Sequence, residues 1–225
     1  PLVAEGYKCT TEYLLHILLI AAARGCTIEA ACAELSGGPS AETVRQYLHA
    51  QLTPERLPEF ETSVNELLAS QVPARLWRKS QDIAMDLHDR PYYGKTSQEE
   101  GLWVGGQAKA GTTHFYRVET AYVIRNGLRV TLALRFYLPT DSVVGVLEML
   151  VERVETLGIT INRLLLDKGF DGIDVQTYLE QSGVPSLIAC SIRGKTGGTR
   201  ALCKGRKSYS TTHTFRNNTE KKERT

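Results

Sequence analysis

At 225 residues, with 42% hydrophobic and 23% charged side chains and a formal net charge of +2, the chain has the composition of an ordinary globular protein. That balance excludes a disordered or collagen-like chain, and the length allows a substantial domain plus a smaller one. The charge is unevenly spread. Residues 1–75 carry 5 basic and 9 acidic side chains, whereas residues 190–225 carry 10 basic and 2 acidic, so the far end suits either a polyanion or a solvated tail.

Five cysteines (Cys9, Cys26, Cys32, Cys190, Cys203), odd in number and without a Cys-x-x-Cys pair, fit a reducing cytosol. Cys26, Cys32 and His49 do not have the spacing of zinc ligands. The most apolar run, 13–23, is interrupted by His16 and closed by Arg24, too short to cross a bilayer, so no membrane contact is expected. The chain opens on Pro1 without a signal peptide and is expected to lack its natural start.

In chain order, residues 10–23 are predicted helical from Leu14, Leu15, Leu18 and Leu19 at helical spacing. A short Ala-rich helix over 27–35, a turn at Ser36-Gly37-Gly38-Pro39, and a Ser40-capped helix to about 52 follow. These two resemble a helix-turn-helix with Glu42, Arg45, Gln46 and His49 on a recognition face; a plain helical bundle is the alternative, and the acidic balance opposes phosphate attraction. Prolines 54, 58 and 73 bracket a helix over 57–70. Residues 1–75 are thus read as a helical region, and 80–225 as a second domain.

Beyond residue 80 the rhythm changes. Residues 82–87 are a candidate strand ended by the turn-prone Asp89-Arg90-Pro91, and the Gly-rich stretch 92–113 reads as a long loop. Strands over 115–124 and 128–138 flank Asn126-Gly127, a strong hairpin signal. Asp141 or Ser142 caps a helix to Leu157 whose apolar stripe faces a sheet, with Gly158 as its stop. Residues 161–166 are almost wholly apolar, the pattern of a central strand covered on both faces, and run into Asp167. A helix over 171–181 and a strand over 186–190 complete the series.

This order of a strand, a hairpin of two more, helix, strand, helix, strand is that of a ribonuclease H-like α/β fold, a mixed sheet flanked by helices. In that fold the first and fourth strands are central neighbours, so Asp86 and Asp167 can converge. Two adjacent carboxylates repel unless a cation lies between them, and hard oxygen ligands suit Mg²⁺ or Mn²⁺.

Three segments carry a closer resemblance: Ala84-Met85-Asp86-Leu87-His88-Asp89-Arg90-Pro91-Tyr92-Tyr93-Gly94, Gly106-Gln107-Ala108-Lys109-Ala110-Gly111-Thr112-Thr113, and Leu164-Leu165-Leu166-Asp167-Lys168-Gly169-Phe170. Over roughly residues 80–195 the chain resembles insertion-sequence transposases of the DDE superfamily. The resemblance implies metal-dependent cleavage and strand transfer of DNA, with transposon ends and target as partners, a homodimer in a synaptic complex, and a cytoplasmic, nucleoid-associated setting. It makes Asp86 and Asp167 the first two catalytic, metal-binding acids, with Asp89 the rival for the first. Lys168 could touch a scissile phosphate. Arg193, Lys195, Arg200, Lys204, Arg206 and Lys207 follow the fifth strand, where related transposases can carry a DNA-contacting insertion. His88 is read as a structural hydrogen-bonder, and Trp77, Trp103, Tyr92 and Tyr93 as packing residues that could also stack on bases.

Such enzymes take a third acid, usually Glu, from a helix after the fifth strand. Nothing here matches it: Glu220 and Glu223 lie in a polar segment without an apolar stripe. The resemblance therefore implies a catalytic domain incomplete at its C-terminus, either part of an active transposase or a DNA-binding remnant. A different ribonuclease H-like nuclease is a third reading.

Overall fold

A computed structural model describes residues 2–95, 101–125, 127–203, 208–217 and 222–224. The chain divides into two compact units, 1–60 and 61–225. The first holds α1 (Thr11–Arg24), α2 (Ile28–Ala33), α3 (Ala41–Gln51) and the start of α4 (Leu57–Ser70). Thr10, Thr27 and Ser40 each accept a hydrogen bond from the backbone N–H three residues on, which satisfies an otherwise orphaned helix-start donor. Leu14, Ile17, Ala31 and Val44 meet in a small core. Arg45 is engaged by Glu29 and Glu42 and is half-buried, while Glu42, Gln46 and His49 of the expected recognition face are exposed.

The second unit is a mixed sheet with helices packed on it. Its strands are β1 (Gln81–Pro91), β2 (Val104–Lys109), β3 (Thr112–Arg125), β4 (Leu128–Tyr137), β5 (Ile161–Leu166) and β6 (Ser186–Ile188). Along the sheet the order is β2-β3-β1-β5-β6, with β4 also paired to β3. β1 runs parallel to β5, and β5 to β6; β3 is antiparallel to β1 and β4. The hairpin-derived strands thus lie on one side of β1 and the crossover-derived strands on the other, the ribonuclease H-like arrangement. α5 (Val143–Thr156) and α6 (Ile173–Ser182) supply the crossovers, and a short α7 (Thr199–Leu202) precedes the hairpin of β7 (Phe215–Asn217) and β8 (Lys222–Arg224). Among the described residues no helix is long and apolar enough to cross a membrane.

Ser142, not Asp141, caps α5, accepting from the Gly145 N–H at 3.1 Å, while Asp141 accepts from the Leu138 N–H. The α5 stripe of Val146, Leu147, Leu150, Val151 and Val154 buries against Ile83, Met85, Ala121, Val123, Leu164 and Leu166, joined by Val175 and Leu179 of α6. Each Val, Leu, Ile or Met among them contributes about 1.5–3 kcal/mol of burial. Because both helices cover this one face, the expectation that β5 is covered on both faces fails. Leu165 points the other way and is only half-buried, and its neighbour Leu187 on β6 is 62% exposed.

Two further expectations are corrected. β1 does not end before Asp89-Arg90-Pro91. These residues stay extended because they pair with Arg117, Tyr116 and Phe115 of β3. The stretch 92–113 is not all loop: β2 folds back on β3, with Lys109 opposite Thr112. The intervening Ala110 (φ 53°) and Gly111 (φ 80°) are both left-handed, as a two-residue hairpin turn that follows the sheet twist requires. The other hairpin pairs Arg125 with Leu128, with Gly127 at φ 77°; its Asn126 lies outside the described residues.

Among the described residues β4 has no strand on its outer edge, a place where unpaired backbone groups need cover. Asn65 of α4, 3% exposed, supplies it: its amide donates to the Leu134 carbonyl at 2.9 Å and accepts from the Leu134 N–H at 2.8 Å. Glu61 accepts from the Phe136 N–H at 2.9 Å one step along. Asn65→Ala leaves both Leu134 groups without these bonds and is expected to cost about 2 kcal/mol in urea unfolding at unchanged slope.

Candidate active site: a carboxylate pair at the sheet centre

β1 alternates, with Ile83 and Met85 turned into the core and Ala84 and Asp86 onto the opposite face. The parallel register ends at Met85 opposite Leu166, so Asp86 and Asp167 are the next residues on adjacent strands. Both line one open depression with Tyr122 of β3, Leu165 of β5 and Leu187 of β6. Asp86 is 37% exposed, and the His88 Nε2 lies 3.6 Å from its Oδ2 and 3.2 Å from the Thr120 hydroxyl. The imidazole therefore bridges β1 and β3, as a structural hydrogen-bonder would.

Asp167 ends β5 and starts a single 3-10 turn, Lys168–Phe170, its Oδ1 accepting from the Gly169 N–H at 2.7 Å. A Cβ on Gly169 would come within 2.9 Å of that oxygen and 3.2 Å of Leu87, so any larger residue would have to displace the carboxylate from its bond to the turn. Phe170, fully buried, anchors the turn, and Lys168, the residue after Asp167, is exposed.

Asp89, the rival first acid, lies on the other face and is engaged elsewhere. The Arg117 Nε and Nη2 donate to its two oxygens at 2.7 and 3.1 Å. This bidentate pair holds the Arg117 guanidinium protonated above its ordinary range.

Glu119, opposite Leu87 on β3, is a feature the sequence reading did not single out. It is fully buried, and among the described residues neither of its oxygens meets a hydrogen-bond partner. Burial first, then the charge of Asp167, push its carboxyl up to about 8, against a smaller opposing pull from Arg117. Across the ladder lies Arg135, whose Nε is likewise buried without a partner while its other nitrogens face Glu61 and Asp141. The signal was present in strand parity: Glu119 shares the register of Ala121 and Val123, the core face.

The basic segment is only partly described. The Arg193 guanidinium lies 3.8 Å from Asp171 and donates to its carbonyl, and the Arg200 Nε donates to the Gly194 carbonyl at 2.6 Å; Lys195 is exposed. Lys204, Arg206, Lys207 and Glu220 fall outside the described residues. Glu223 lies in β8, opposite Arg216, on a strand rather than a helix. Of the aromatics, Tyr92 is buried, Trp103 packs edge-on to His114, and Tyr93 and Trp77 are exposed.

Among the described residues no three His, Cys, Asp or Glu side chains gather closely enough to hold a metal ion; this covers Cys26, Cys32 and His49. Two exposed neighbouring carboxylates nevertheless fit Mg²⁺ or Mn²⁺, which keep several waters and take one or two protein carboxylates together with substrate phosphate.

No protein-family model matches the chain, and no curated protein matches it. Among solved structures, the chain is similar to the Drosophila P element transposase strand transfer complex, at 10% identity and a TM-score of 0.41. The match covers 80% of this chain, which spans 37% of the length of that one.

Proposed function

We propose that this chain carries the catalytic core of a DDE-type transposase, which cuts and joins DNA at the ends of an insertion sequence. The observation that supports it most is the parallel register of β1 and β5, which sets Asp86 beside Asp167 on an open face. In this reading the two aspartates hold Mg²⁺ or Mn²⁺. When bound, such ions supply activation of an attacking oxygen and stabilisation of a leaving one in phosphodiester displacement. The Gly169 N–H fixes the Asp167 carboxylate, and the His88 imidazole, held by Thr120, limits the motion of Asp86. Lys168, exposed and the residue after Asp167, offers its ammonium to a phosphate oxygen of the bound strand. Transposon-end and target DNA are the partners, and two copies acting together would bring two ends into one complex.

The test is incubation of the protein with labelled duplex carrying the element's ends, with Mg²⁺ or with chelator. Nicking and joining that need the metal support the proposal, and their loss on chelation is expected to be complete. Joining-free hydrolysis of DNA or RNA would point to another ribonuclease H-like nuclease. Binding with no metal-dependent cleavage would make the chain a DNA-binding remnant.

A further inference from the structure

Away from the carboxylate pair, at the start of β1, a cleft of about 350 Å³ is lined by Arg75, Arg78, Lys79 and Arg125 over a floor of Leu76, Val123 and Val130. All four cations are exposed, and none of them has an acidic partner among the described residues. The arrangement is built rather than incidental. Gln81, 3% exposed, donates to the Leu76 and Lys79 carbonyls at 3.0 and 2.8 Å and so pins the turn that carries three of the cations. Its carbonyl oxygen accepts from the Arg125 Nη1 at 3.5 Å, which orients the fourth. Leu76 and Val123, each 1% exposed, fix the floor in the core of this unit.

We infer that this cleft is a second DNA contact, gripping the sugar-phosphate backbone of a duplex segment remote from Asp86 and Asp167. Four like charges lining one cleft without acidic partners among the described residues repel one another, and a polyanion relieves that repulsion. The volume of about 350 Å³ is many times the ~30 Å³ share of one water and leaves room for a backbone segment. Guanidinium groups, three of the four cations, match phosphate oxygens in bidentate geometry. Trp77, 48% exposed between Leu76 and Arg78, adds an aromatic surface beside the cations. The inference rests on the proposed function only in choosing DNA as the polyanion.

The experiment measures anisotropy of a labelled duplex bound to the whole chain in chelator, across salt. The triple variant Arg75→Ala, Arg78→Ala, Lys79→Ala is compared with Lys95→Ala, Lys109→Ala, which removes two exposed lysines outside the cleft. Each phosphate contact contributes about 0.9 to the log–log salt slope, so the triple variant should weaken binding and flatten the slope by about 2 to 3. The Lys95 and Lys109 variant should keep the wild-type slope. Unchanged binding by the triple variant, equal loss in both variants, or wild-type preference for polyglutamate over DNA would each overturn the inference. Cleft-dependent binding without metal-dependent cleavage would sink the proposed catalysis alone; cleavage with cleft-independent binding would sink this site alone.

Discussion

Asp86→Asn and Asp167→Asn should each lower metal-dependent cleavage by roughly 10³-fold or more while the protein stays folded. The substitution is nearly isosteric and removes only the charge that a cation would meet. Neither site is part of the packed core: Asp86 is 37% exposed, and Asp167 is exposed at the end of β5. The turn after Asp167 should survive, because an asparagine oxygen can still accept from the Gly169 N–H. Asp89→Asn provides the contrast. It breaks the bidentate contact with Arg117 at a cost of about 1 kcal/mol, yet it lies on the opposite face of β1 and should leave cleavage within a few-fold of wild type. Nicking and strand-transfer rates, read beside thermal melts of the three variants, separate the two effects. Full activity in Asp86→Asn, or loss only in Asp89→Asn, would move the first acid to Asp89.

Much of this geometry was legible because the strongest sequence signals are local. The cap at Ser40, the turn at Gly127 and the apolar run into Asp167 each specify their own element, and the element order then makes β1 and β5 neighbours. β2 was missed because only Val104 of its six residues is buried, so no alternation marks it; its strand form comes from pairing with β3. The extension of β1 through Pro91 was missed for a related reason. Turn-prone Asp89 is held straight by Arg117, a partner 28 positions away. The basic cleft joins residues 75–79 to Arg125 through the sheet register and one buried glutamine, neither of which composition can reveal.

Glu119 offers the sharpest test of that register, because its burial is a prediction about pH as well as packing. Its carboxyl is pushed up to about 8 in the folded chain, mainly by burial and then by Asp167, from an ordinary value near 4.5. Below about pH 4.5 the group is protonated in both states and contributes no pH dependence. Between 4.5 and 8 the unfolded chain releases the proton that the folded chain keeps, so stability falls as pH rises, by up to about 1.4 kcal/mol per unit. Between pH 5 and pH 7 this amounts to about 2–3 kcal/mol. Glu119→Gln keeps the shape and removes the ionisation, so its urea-unfolding free energy should lose that component of the slope and exceed the wild-type value at pH 7. Asp167→Asn should reproduce part of the effect by removing the neighbouring charge, whereas Asp89→Asn, by loosening Arg117, should not. The difference between wild type and Glu119→Gln is measured in chelator at pH 5, 6 and 7, which cancels the other titrating groups. Parallel curves for the two proteins would mean that Glu119 is already ionised at neutral pH, with a cationic partner such as Arg135 turned toward it. The orphaned Arg135 Nε across the ladder would then be that partner, and Arg135→Met would restore the missing slope.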